Sequence, residues 1–281
     1  MTDTVRGVLR AAYARLEAAG VPDPRHDAQA LLAEAVGAPR LSLLADGGRA
    51  VPGDALARFD AWLLRREARE PLQYVLGRAA FMGRDFLAEP GVLIPRADTE
   101  TLCELAVRLS PPQGDALDLC CGTGCLGVSL KLARPGLNVF AGDLSPRAVS
   151  LARRNAALHN VDMDVREGDL FAPFAGQAFD AILCNPPYVP TGELAGLQEE
   201  VRREPGMALD GGEDGLSFYR RIIAEAPGHL RPGGWLLLEV GDGQAAAVAA
   251  LLPPKFTKPG IHPDLSGRPR AVTTQRNTDG R

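Results

Sequence analysis

The feature that most limits how this chain can fold is one short run, Asp118-Leu119-Cys120-Cys121-Gly122-Thr123-Gly124-Cys125-Leu126-Gly127. It joins an apolar stretch, DALDLC at 115–120, to a segment of helical apolar spacing at 125–133. A glycine-rich turn that leaves a buried strand and enters a helix opens a βα unit. The alternation continues: LNVFAGD (137–143) reads as a second strand followed by a helix over 146–159. FDAILC (179–184) and GWLLLEVG (234–241) read as further strands, and 254–275 as a closing antiparallel pair. This order predicts an α/β fold, a doubly wound sheet that takes its ligands at the carboxyl ends of the strands.

The first part of the chain has a different period. Leu9, Tyr13 and Leu16 recur at helical spacing before Gly20, as do Ala28, Leu31, Leu32 and Ala35 before Gly37, and Leu56, Phe59, Leu63 and Leu64 after Pro52. These stripes predict a small helical bundle. Gly77, Gly83 and Gly91 then punctuate short apolar runs, as in a β-hairpin. The expected organisation is therefore a helical domain over 1–72, a hairpin connector over 73–97 and an α/β domain over 98–281, a division that suits 281 residues.

Composition removes several classes. A 46% hydrophobic and 23% charged chain is not disordered in bulk. A net charge of −4 argues against gripping nucleic-acid phosphates directly. The five cysteines show no disulfide-scaffold spacing, no apolar run reaches the ~18 residues of a membrane span, and the N-terminus has no signal-peptide pattern. A cytoplasmic protein with no membrane association is expected. Cys120, Cys121 and Cys125 form no zinc knuckle, so no metal site is expected, and Cys184 has no His-Asp pair to activate it.

Gly122, Gly124 and Gly127 match the G-x-G-x-x-G spacing, and Asp143 lies where an acidic residue takes ribose hydroxyls. A nicotinamide dinucleotide and S-adenosyl-L-methionine both meet these requirements. Two residues favour the second. Asp118 would suit a cationic methionine end and repel a pyrophosphate. Asp169 is placed to accept from an adenine amino group.

Asn185-Pro186-Pro187-Tyr188 directly follows the buried strand FDAILC. Two prolines remove two backbone donors and set two φ angles, so the loop is stiff and its carbonyls are free to accept. The Asn185 side-chain oxygen and the Pro186 carbonyl together suit one planar NH₂ group, and Tyr188 suits packing on its face. Such a loop positions and polarises a planar nitrogen.

The two motifs together resemble the Rossmann-like S-adenosylmethionine-dependent methyltransferases that act on planar nitrogens, a class with adenine-N6 DNA and glutamine-N5 protein methyltransferases. Arg69-Glu70-Pro71-Leu72-Gln73-Tyr74-Val75-Leu76-Gly77, Phe81-Met82-Gly83 and Val92-Leu93-Ile94-Pro95-Arg96-Ala97-Asp98-Thr99-Glu100 narrow the resemblance to the PrmC/HemK family of peptide chain release factor glutamine methyltransferases. Glu204-Pro205-x-x-Ala208-Leu209 and Asp264-Leu265-x-Gly267-Arg268 extend it to almost the whole chain. The resemblance implies methyl transfer to N5 of the glutamine in the Gly-Gly-Gln motif of class-I release factors, leaving S-adenosyl-L-homocysteine. The enzyme is expected to be a monomer whose helical domain, with its hairpin, recognises the protein partner. It implies cofactor contacts from Cys120, Cys121, Gly122, Thr123 and Gly124, ribose binding by Asp143, and a pocket completed by Leu170 and Asn185. Asn185, Pro186, Pro187 and Tyr188 would hold the substrate glutamine. The chain departs from the family at Cys120 (glycine there), Cys121 (threonine) and Leu170 (tryptophan nearby). Its Cys-Cys-Gly-Thr-Gly-Cys run is also similar to enzymes that methylate a ribosomal-protein glutamine.

Overall fold

The computed structural model describes residues 3–278. Its contacts divide into two units: the chain up to Arg78 together with Gln198–Arg203, and Ala79–Leu197 together with the chain from Glu204 onward.

The first unit is helical: α1 (Val5–Ala18), α2 (Pro24–Val36), α3 (Arg40–Ala45), α4 (Gly53–Glu67) and α5 (Leu72–Leu76). The Thr4 hydroxyl caps α1 by accepting from Gly7 N, and Asp23 caps α2 by accepting from His26 N, with Pro24 in the first turn. Gly37 ends α2 at φ 68°, a left-handed conformation that glycine adopts at little cost. Val5, Leu9, Ala12 and Leu16 bury one face of α1 against Leu31, Leu32, Phe59 and Leu63. Of the expected stripes, Tyr13 packs at the edge of this core and Leu64 lies outside it. Tyr13 is half-buried, its hydroxyl accepting from Gln29 Nε2 at 2.9 Å, and Leu64 is 60% exposed. Residues 72–76, expected mostly as connector, form a helical turn between Pro71 and the left-handed Gly77.

Arg66 is buried in this unit. Its Nε donates to Asp27 Oδ2 at 2.7 Å and its Nη2 to Glu200 Oε1 at 2.7 Å; Arg69 makes two further bonds to the Glu200 carboxylate. Two guanidinium groups thus hold the segment 198–203 through one carboxylate. Burial alone would raise the Glu200 pKa, but Arg69 and Arg66 hold it down to about 2.

The second unit begins inside a hairpin, β1 (Arg78–Phe81) and β2 (Arg84–Leu87), turned through Met82 and Gly83 at φ 49° and 70°. There follow α6 (Thr99–Leu109), β3 (Gly114–Leu119), α7 (Cys125–Ala133), β4 (Leu137–Asp143), α8 (Pro146–Leu158), β5 (Met163–Glu167) and β6 (Phe179–Cys184). The unit closes with α9 (Ser217–His229), β7 (Leu230–Glu239), α10 (Ala245–Ala250), β8 (Gly260–Pro263) and β9 (Pro269–Gln275). The seven-stranded sheet has the order β5-β4-β3-β6-β7-β9-β8, parallel except for β9, which is antiparallel to both neighbours. The strand period of two sorts the core. Ala116, Val139, Leu183 and Leu237 face α6, α7 and the hairpin, whereas Leu117, Ile182, Leu236 and Val272 face α9 and α10. The dinucleotide fold carries parallel strands in the order 3-2-1-4-5-6; here an antiparallel β9 is inserted between β7 and β8. Among the described residues no helix is long and apolar enough to cross a membrane.

Candidate active site

The strand order explains why the motifs meet. β3 lies between β4 and β6, and its last residue, Leu119, is in register with Gly142 on one side and Cys184 on the other. The glycine-rich turn, Asp143 and Asn185 therefore leave the sheet side by side, at the point where the winding reverses. They border an open cavity of about 970 Å³, counting the space at its mouth. Cys120, Cys121, Gly122, Thr123, Asp143, Asp169, Leu170, Asn185 and Pro187 line it; Asp118, Gly124, Pro186 and Tyr188 do not.

Asp118 is where structure and sequence reading part. It was expected at the cationic end of a ligand. Instead its carboxylate faces α7, and Oδ2 accepts from Gly127 N at 2.8 Å. A Cβ on Gly127 would sit 3.1 Å from that oxygen, so the glycine permits the close approach. Asp118 Oδ1 is buried without a partner, and burial first, with Asp143 nearby, raises the carboxyl to about 7. Gly124 is likewise structural. At φ 77° it begins α7, and a Cβ there would crowd Ala152.

Asp143 shapes the turn it faces. Oδ2 accepts from Gly122 N at 2.9 Å and Oδ1 from Ser145 N at 2.8 Å. Each oxygen keeps a second lone pair, which is what a vicinal diol requires. Burial raises its pKa, and the amides of Ser145 and Gly122 oppose the shift. Gly122 has φ 54°, and a Cβ there would enter empty space, so its bare backbone forms cavity wall. Asp169 is exposed and paired with Arg221 at 2.7 Å. Leu170 is buried at φ 47° against the core behind the sheet.

Cys120 adopts φ 58°, the left-handed region that β-carbons disfavour. That conformation costs roughly 1–2 kcal/mol in a residue other than glycine. Cys120→Gly is expected to stabilise the protein by about 1 kcal/mol, the strain relieved less the added unfolded-chain entropy. Thermal unfolding measures it; a loss of stability would show that the thiol's packing outweighs the strain. The Cys103 thiol is pushed up to about 12 by burial, and burial likewise raises Cys121, Cys125 and Cys184. These four are protonated thiols, poor nucleophiles and poor metal ligands.

The 185–188 loop is held from several directions. Asn185 Nδ2 donates to Thr99 Oγ1 at 3.2 Å, which leaves Oδ1 as the acceptor of that amide. Pro186 and Pro187 are buried. The Tyr188 carbonyl accepts from Gln244 Nε2 at 2.9 Å, and Val189 exchanges backbone bonds with Leu209 and Gly211. Gly215 has φ 73°, and a Cβ on it would overlap the Tyr188 carbonyl oxygen. Burial raises the Tyr188 phenol to about 12, so it stays neutral.

Periodicity and spacing did not single out 91–96 as cavity wall, nor Phe218 or Met207. Apolar and turn residues there carry no sequence signal distinct from core and loop; Arg96, Asp98 and Glu100 read from sequence as a polar knot at a helix start, and only the resemblance adds a cofactor role. Arg96 is the one cationic side chain lining the cavity among the described residues, and it is paired with Glu204, whose Oε2 also accepts from Ile94 N at 2.9 Å. A wall with one neutralised cation and two carboxylates does not suit a pyrophosphate.

Residues 7–77 match the PrmC N-terminal domain and residues 86–201 the methyltransferase small domain. The release factor glutamine methyltransferase of Deinococcus radiodurans is 43% identical over 97% of this chain and 98% of its own. That of Geobacter sulfurreducens is 44% identical over 88% of each. A methyltransferase from Pyrococcus furiosus superimposes with a TM-score of 0.54 at 17% identity, covering 78% of this chain and 98% of that one. A T. thermophilus 16S rRNA N2 G1207 methyltransferase, solved with AdoMet and guanosine, gives 0.51 at 19% identity over 71% and 50%. The two structures share a fold with this chain at low identity, while the relatives match it along most or nearly all of its length: this chain belongs to the family of release factor glutamine methyltransferases.

Proposed function

We propose that this enzyme transfers the methyl group of S-adenosyl-L-methionine to N5 of the glutamine in the Gly-Gly-Gln motif of class-I peptide chain release factors, and so supports translation termination. The observation that carries the reading is Asn185. Its amide nitrogen is engaged by Thr99, so its oxygen remains to accept from a planar NH₂ group at the cavity wall.

The residues fit the cofactor. Gly122 presents bare backbone to a flat nucleoside, Asp143 offers two lone pairs to the ribose hydroxyls, and Leu170 and Phe218 supply apolar wall. When bound, the cofactor supplies an electrophilic methyl on a sulfonium. Asn185, on the cavity wall, accepts from one hydrogen of the substrate amide; the adjoining Pro186, itself buried behind that wall, offers a carbonyl with no backbone competitor for the second, and the stiff Pro-Pro turn keeps both acceptors in place. Accepting both hydrogens raises electron density on the nitrogen and aims its lone pair. The amide proton leaves after transfer, so no general base is required. The helical unit recognises the release factor, and the enzyme acts in the cytoplasm as a monomer without binding nucleic acid, in keeping with its net charge of −4.

The test is mass spectrometry of purified release factor after incubation with enzyme and labelled cofactor. One methyl replacing one hydrogen on the Gly-Gly-Gln peptide supports the proposal. Label on a ribosomal-protein glutamine, or on adenine in DNA, overturns it in favour of that substrate.

A further inference from the structure

β5 ends beside Asp143, with Glu167 and Asp143 in register. The chain then turns through Gly168, Asp169 and Leu170. Gly168 N donates back to the Asp143 carbonyl at 3.0 Å, and Ala172 N donates to the Asp169 carbonyl at 3.0 Å. The backbone of Asp169 is therefore tied on both sides, and the residue lines the cavity one strand beyond Asp143. Its side chain is 49% exposed, and by itself would be free to turn into water. Arg221 prevents this. Its Nη2 donates to Asp169 Oδ2 at 2.7 Å, which leaves Oδ1 to accept from a ligand.

Arg221 comes from α9, whose Tyr219, Ile222, Ile223 and Ala226 are buried in the core behind the sheet. The helix is thus a firm platform. Phe218, one turn before Arg221, lines the cavity and packs against the cluster that holds Leu170. Arg220 is taken by Asp214, so Arg221 is the cation that α9 gives to Asp169. A pair as exposed as this adds little to folding stability. What it fixes is the direction of a carboxylate at the cavity wall.

We propose that Arg221 is a positioning residue that selects the base of the cofactor, by holding the Asp169 carboxylate to accept from the exocyclic amino group of adenine. The inference rests on the reading that Asp143 takes the ribose hydroxyls. With the ribose there, the base extends toward the next strand, where Leu170 and Phe218 offer apolar contact to a flat ring and Asp169 meets its edge. A carboxylate can only accept. It matches a 6-amino group, which has hydrogens to give, and opposes a 6-oxo group at the same position. Arg221 adds no contact to the base. It lessens the freedom that Asp169 loses when the base binds.

The experiment is calorimetry of S-adenosyl-L-homocysteine and of its purine-riboside analogue, in which hydrogen replaces the 6-amino group, with wild type, Arg221→Ala and Asp169→Ala. Wild type is expected to bind the adenosyl compound at least about tenfold more tightly, the worth of one hydrogen bond to a charged acceptor. Asp169→Ala is expected to bring the two affinities within about twofold of each other. Arg221→Ala is expected to reduce the wild-type preference by about threefold, the cost of ordering a freed side chain. Both side chains are half-exposed, so the variants are expected to fold.

Arg221→Ala that weakens both compounds by the same factor makes Arg221 a structural prop of the wall and overturns the inference. A preference that survives in Asp169→Ala also overturns it, because the base is then read elsewhere. Wild type that binds both compounds equally is a failure of this inference alone. Wild type that binds neither is a failure of the cofactor reading, and takes the inference with it.

Discussion

Asn185→Ala is expected to lower kcat/KM for methyl transfer by about 10²–10³-fold, the loss of one preorganised partner of the reacting group, worth about 2.7–4 kcal/mol. Cofactor affinity is expected to fall by much less, because Gly122, Asp143 and Leu170 lie on other segments of the cavity wall. Transfer assays with labelled cofactor measure the first quantity and calorimetry the second. The separation matters. The amide is anchored by Thr99 on one side only, so truncating it removes an acceptor while the Pro-Pro turn and the bonds of Val189 and Gln244 keep the loop in place. Full turnover in the variant would sink the amide-holding role. Loss of cofactor binding by a similar factor would make Asn185 a cofactor residue instead.

The largest stability effect is expected at Arg66→Ala. The Arg66 side chain is 4% exposed and binds Asp27 and Glu200 at 2.7 Å each. Removing one partner of a buried ion pair costs about 3–5 kcal/mol, since uncompensated buried charge remains. Here Asp27 loses its guanidinium and Glu200 keeps only that of Arg69. Urea unfolding followed by circular dichroism measures the effect, and a change below about 1 kcal/mol would show that the site collapses or hydrates cheaply. Acid gives an independent check. The folded Glu200 pKa is depressed to about 2, from an ordinary value of 4.5. Its contribution to stability is therefore complete above the ordinary value and is lost as pH falls through that window. The acid sensitivity of Arg66→Ala across that window is expected to be smaller than that of wild type.

The Rossmann-like character of the α/β unit was legible because the relevant rules are local. Strand 137–143, helix 125–133 and strand 179–184 fall on the residues that apolar patterning marks. Gly122 and Gly124 sit at positive φ, which a sharp strand-to-helix turn demands of its backbone. α5 and the half-burial of Tyr13 were not legible. A five-residue helix is too short to display a period, and a tyrosine on a helical stripe packs or hydrogen-bonds according to what faces it.

Residue types and short spacings by themselves determined the alternation of strand and helix, the left-handed turn at 122–124 and the stiff 185–188 loop, because each depends on dihedral limits and neighbours a few positions away. Only the tertiary structure decided that β9 runs antiparallel between β7 and β8, that the Asp118 carboxylate faces α7, that Thr99 anchors Asn185 and that Arg66 meets Glu200. The side-chain partners in the last two pairs are 86 and 134 positions apart in sequence. No local preference selects such partners. They are chosen by the strand order and by the requirement that a polar group removed from water find another.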